Sequence, residues 1–207
     1  GAGFGGLSVK STGRFAGGKL TFDTTLSEGS GITMRGGGSV NTGGARALDL
    51  AFNGNVPFQF LAGRLAGMGI ALNGTAAANI TVRGTIAQPV IGGTVRTSGA
   101  RLLDARSGIA VNDITADIAL GGGRATVNRL TGSISGGGSI SATGTVGIAG
   151  SFPADLRIKL SQARYTDGRI VTTTADGDLT VTGPLTAGPT IGGRIRLGRT
   201  VIIIPER

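Results

Sequence analysis

No cysteine, no histidine and no tryptophan occur in this chain of 207 residues, and its other aromatics are seven Phe and one Tyr. Without thiol and imidazole, the usual nucleophiles, bases and ligands of zinc and copper sites are missing together. With so few aromatics, any apolar core has to be built from Ile, Val, Leu and Ala. Proline is rare too, at 6 residues, which excludes collagen with its abundant Pro and strict glycine period. Long apolar runs are also missing. Phe60 to Leu72 is broken by Arg64 and by glycines, and Val201–Ile204 falls far short of the ~20 residues that span a membrane. No secretion signal is legible at the start, and the chain stops on the apolar run VIIIPER, which reads as a fragment of something longer.

What is abundant is glycine, with 41 residues. Only three glycine-free stretches reach ten residues, at 19–28, 109–120 and 151–167. Each glycine costs a helix interior about 1 kcal/mol, so a helical fold is excluded. Hydrophobic residues make up 39% and charged residues 15%, so there is apolar surface to bury and disorder is not expected. The formal net charge is +9 and 17 of the 20 basic residues are Arg, a surface that favours polyanions, anionic headgroups or acidic partners.

Apolar and polar residues alternate with period two along nearly every segment. In Ser139–Ile148, Ile140, Ala142, Val146 and Ile148 share one parity while Ser139, Ser141, Thr143 and Thr145 share the other. Leu156, Ile158 and Leu160 separate in the same way from Asp155, Arg157 and Lys159, and Ile195 and Leu197 separate from Arg194 and Arg196. Leu20/Phe22, Ile32/Met34, Leu48/Leu50/Phe52, Ile80/Val82, Ile114/Ile118/Leu120 and Leu179/Val181 follow suit. Successive strand side chains point to opposite faces, so each strand has one apolar and one polar face. The pattern predicts an all-β antiparallel meander with one wet face, its strands punctuated by turns or bulges at Gly36–Gly38, Gly121–Gly123 and Gly136–Gly138.

A longer period lies beneath. Gly18–Phe22 matches Gly123–Val127, Gly38–Val40 matches Gly144–Val146, and Asp49–Phe52 matches Asp155–Ile158. Ile80–Gly84 then matches Leu179–Gly183, and Pro89–Gly93 matches Pro189–Gly193. The collinear offsets, near 105, predict one elongated β-domain over 1–207 with two copies of a module at 5–97 and 110–197. The first copy carries about seven extra residues between 53 and 80. They include Pro57-Phe-Gln-Phe-Leu-Ala62, the one plausible helix start, so at most one short helix is expected, near 57–66.

The order of these signals resembles the C-terminal part of the TamB family, within the AsmA-like, bridge-type lipid-transfer proteins. The residues that carry it are Leu/Ile-Thr-Val-x-Gly followed by Pro-x-Ile-Gly-Gly-x-Val/Ile-Arg at 80–96 and 179–196, with Gly-Arg-x-Thr-Val at 123–127 and Gly-Thr-Val at 144–146. The resemblance implies a sheet folded over into an open groove, the β-taco. It also implies a periplasmic body in a Gram-negative envelope, an inner-membrane anchor outside this fragment, and a TamA-like outer-membrane barrel as partner. Phospholipid acyl chains moving between the membranes, and support of outer-membrane protein and autotransporter assembly, are the implied roles. The groove would be lined by Leu20, Phe22, Ile32, Met34, Leu48, Leu50, Phe52, Ile80, Val82, Ile114, Ile118, Leu120, Ile140, Val146, Ile148, Leu156, Ile158, Leu160, Leu179, Val181, Ile195 and Leu197. Arg194, Arg196 and Arg199 are candidate contacts for headgroups or a partner, and Arg101 with Arg106 forms a second basic cluster.

Nothing in the residues calls for an enzyme, a metal or another cofactor. Asp113 and Asp117 share a parity on the polar face and are read as solvated. Asp176-Gly-Asp178 lacks the further oxygen ligands of a calcium loop and is read as a tight turn. The GxGxxG letters at Gly1–Gly6 have no strand before them and no helix after. Nucleic-acid binding would want stacking aromatics among the basics, and Tyr165 stands alone. Two alternatives of function remain beside the lipid groove: a scaffold or chaperone acting by β-augmentation, and a surface or secreted β-solenoid. For the fold, a sandwich or closed barrel with a filled core competes with the open groove.

Overall fold

The computed structural model describes residues 8–27, 31–44, 46–166, 168–169 and 171–204. Gly1–Gly6 and the last three residues of VIIIPER lie outside them. The chain opens with β1 (Ser8–Ala16), β2 (Lys19–Ser27), β3 (Thr33–Asn41) and β4 (Leu48–Pro57). A 3-10 turn (Phe58–Leu61) runs into a five-residue helix, α1 (Ala62–Ala66), and the chain re-enters the sheet as β5 (Ile70–Asn73) and β6 (Thr75–Gly84). Then come β7 (Pro89–Asp104), β8 (Ile109–Gly121), β9 (Arg124–Ile134), β10 (Ser139–Gly147), β11 (Pro153–Thr166), β12 (Val171–Pro184) and β13 (Thr190–Ile202).

All thirteen strands join one antiparallel sheet whose spatial order is the chain order, with β5 set beside β7. The sheet is open: β1 and β13 stand at its two ends. Two-residue turns make this economical. Gly17-Gly18 and Gly122-Gly123 both take φ +61 and +74, the left-handed pair that lets a hairpin turn match the strand twist. β5 and β6 form one line broken at Gly74. β5 pairs with Arg101–Asp104 of β7 and β6 with its Pro89–Thr97 half. The expected helix is present, starting one residue after Pro57, where Phe58 N–H donates to Gly74 C=O at 2.8 Å.

Two expectations from the sequence are corrected. Gly36–Gly38 is not a link but lies inside β3, where the Phe52 ring occupies the space a side chain on Gly36 would need. Asp176-Gly-Asp178 is not a turn but the middle of β12, with Asp176 opposite Arg196 and Asp178 opposite Arg194. Asp113, read as solvated, is exposed, and it takes φ +51 where the ladder slips between Asn112 and Thr115.

The glycine pairs of the long repeat share one geometry. Gly93 has φ +122 and Gly193 φ +119, and a Cβ on either would collide with a carbonyl of the neighbouring strand, of Asn79 or Asp178. The β6–β7 and β12–β13 registers run straight through both.

Candidate functional site

Directly opposed residues of an antiparallel ladder point the same way, so a face can be followed from strand to strand. One row reads Gly36, Phe52, Ile80, Gly93, Leu120, Ala125, Val146, Ala154. Every candidate lining residue that lies in a strand falls on this face, from Leu20, which opposes Val40, to Leu197, which opposes Ala175. Ile32 and Ile148 lie just outside β3 and β10.

Along the described strands the only charged residue on that face is Asp104, at the end of β7 opposite Ile109. The other face carries the charges. There Arg96 pairs with Asp117 at 3.3 Å, Arg83 approaches Asp49 at 3.9 Å, and Arg101 Nε donates to Asn112 Oδ1 at 2.9 Å. Arg194 and Arg196 belong to this outer face, and Arg199 sits where the β12–β13 ladder slips between Thr173 and Ala175. The structure therefore separates these arginines from the apolar row.

The apolar face is only half covered. Among the described residues the buried apolar side chains are Ile32 and six alanines, and no large side chain is fully buried. A filled sandwich or barrel core would bury its Leu, Ile and Phe; here they stay half-exposed, and Ile191, Ile195 and Leu197 on β13 are 56–70% exposed. Cover is deepest at β6–β8, where Ala76, Ala78, Ala100 and Ala116 are buried. There a pocket of about 260 Å³ opens on the apolar face, walled by Phe58, Leu72, Val95, Leu102, Ile114, Ile118 and Leu130.

Several face residues escaped the alternation in the sequence. Val127 and Leu130 are three apart because the ladder slips between them, and Ala100 and Leu102 follow slips in β7. A three-residue apolar spacing inside a strand-like run was their available signal.

At the end of β7, Asp104 accepts from Ser107 Oγ at 2.8 Å and from Arg106 N–H at 3.1 Å. These bonds, the serine's foremost, hold its carboxyl below the ordinary value of 3.8. The group closes a turn. Among the described residues no cluster of three Asp, Glu, His or Cys could hold a metal, and no helix is long and apolar enough to cross a membrane.

Residues 128–207 match the protein family described as the TamB C-terminal domain. No curated protein and no solved structure matches the chain.

Proposed function

With residues 128–207 a TamB-family C-terminal part, in a family of bacterial envelope proteins, we propose that the chain is a conduit segment whose apolar face carries phospholipid acyl chains. One observation carries this reading: a wide, single-layered apolar face free of charge except at one rim, in an open sheet with no filled core among the described residues. A large exposed apolar surface marks a binding site. Acyl chains supply the missing second layer, each buried methylene contributing about 0.8 kcal/mol, so that no catalytic group is needed. The body stands in the periplasm between an inner-membrane anchor and a TamA-like barrel, and residues 5–97 and 110–197 act as two copies of one module. The equal geometry of Gly93 and Gly193 supports that repeat.

The test is native mass spectrometry for co-purified phospholipid. Ile158→Arg places a charge on the apolar face between Ala142 and Leu179 and is expected to abolish bound lipid while the domain stays folded, because the side chain can reach water along an open face. Thr182→Arg, on the outer face opposite Asp155, is the matched control and keeps its lipid. Unfolding by Ile158→Arg means a closed core and ends the reading.

A second reading, a scaffold acting by β-augmentation, is favoured by the exposed apolar residues of β13, which has β12 as its ladder partner. It leaves Ile158→Arg fully active in barrel assembly.

A further inference from the structure

We infer that the pocket between the helical insertion and β7–β9 is a discrete seat for one linear hydrocarbon chain, a holding site within the conduit. The inference deepens the lipid-conduit reading and rests on it.

Two independent observations single out this stretch of the apolar face. The insertion that breaks the long repeat supplies its extra wall: Phe58, first residue of the 3-10 turn, lines the pocket together with Leu72 of β5. The deepest burial on the apolar face also gathers here, with Ala76, Ala100 and Ala116 all lining the pocket. Small residues on the floor with large ones on the rim leave room for a ligand. At the far end of the apolar face, by contrast, Ile195 and Leu197 are mostly exposed.

The chemistry of the walls chooses the occupant. The single polar side chain among them is Thr97, whose hydroxyl already donates to the Thr75 carbonyl at 2.8 Å. β7 and β8 are paired on both sides, so neither offers a strand edge inside the pocket. A peptide seated there would leave its own N–H and C=O groups without partners, at the cost of their desolvation. A hydrocarbon chain brings no polar atoms. Phe58 is held in place from below, because Gly74, at φ +131, lets Ala100 and the Phe58 ring approach it to within 3.0 and 3.4 Å of where a Cβ would sit.

The probe is cis-parinaric acid, a linear fluorescent fatty acid, titrated into the delipidated full chain. Saturable binding is expected, and Ala116→Phe, which fills the floor, should weaken it at least tenfold. Thr180→Phe, on the outer face opposite Arg157, should leave it within twofold. Leu102→Trp fills the same pocket from its wall and serves if Ala116→Phe does not fold, as judged by far-UV circular dichroism. Equal weakening by Ala116→Phe and Thr180→Phe, or no weakening by either pocket-filling variant, overturns the seat and leaves the conduit standing. A parent chain that binds no fatty acid overturns both.

Discussion

A single missing Cβ decides more in this sheet than any single side chain. At Gly93 and Gly193 the backbone holds φ near +120, where any other residue is strained by about 1–3 kcal/mol before the clash with Asn79 or Asp178 carbonyl is counted. Gly93→Val and Gly193→Val are therefore each expected to lower the unfolding free energy from urea titration by at least that much, while Gly63→Ala in α1, where a Cβ meets nothing within 4 Å, is neutral or mildly stabilising. Asp104 gives a pH prediction. Its folded pKa lies below the unfolded one, so its contribution is present above the ordinary carboxylate value and is lost as pH falls through the folded pKa, below 3.8. Protein nuclear magnetic resonance should find the turn amide of Arg106 well protected at pH 5 and released only below pH 4, and the release should vanish in Asp104→Asn. At this scale the sequence spoke clearly about parity and poorly about glycine. Gly36 and Gly177 read as turn formers, yet both lie in strands, Gly36 beneath the Phe52 ring and Gly177 opposite Ile195.

Among the elements, β13 adds opposed charges to its ladder. Asp176 and Asp178 stand directly opposite Arg196 and Arg194 on the outer face, and opposed charges of this kind contribute about 0.2–1 kcal/mol per pair, with like charges reversing the sign. Arg194→Glu with Arg196→Glu should therefore loosen β13 selectively, seen as faster amide exchange over Thr190–Ile202 with β7–β9 unchanged; uniform exchange would refute it. The helical insertion was legible because a glycine-poor run followed Pro57 and broke a repeat that otherwise held its spacing. What no local pattern announced was its use: the break at Gly74 that lets β5 sit beside β7 and Phe58 turn toward the apolar face. Slips in register were hidden for a similar reason, since an extra residue such as Gln162, at φ +49, receives its meaning from the partner strand, where Asp176 accepts its N–H at 2.7 Å.

For the whole molecule, stability is a sum of neighbour terms. Each strand pairs only with those beside it, and no large side chain is fully buried among the described residues, so cooperativity is expected to pass along the sheet as in a repeat protein. Native-state hydrogen exchange should accordingly give a gradient, with the slowest amides in β6–β8, where the buried alanines gather, and progressive fraying toward β1 and β13. A single exchange rate shared by all thirteen strands would contradict it. The all-β meander and the identity of its apolar face were readable because period-two alternation survives in almost every strand. The openness of the sheet was not, because a filled core and an open face demand the same alternation.

The strand order has one more consequence. β1 to β4 and β6 to β13 line up in the order in which they are synthesised, and every ladder but β4–β6 and β5–β7 joins strands adjacent in sequence. Loop closure is short at each step, and short closures fold fast. No strand waits for a partner encoded far downstream. A chain delivered end first through a narrow channel can therefore crystallise, so to speak, at its own growing edge, each arriving segment finding its template already laid by the one before.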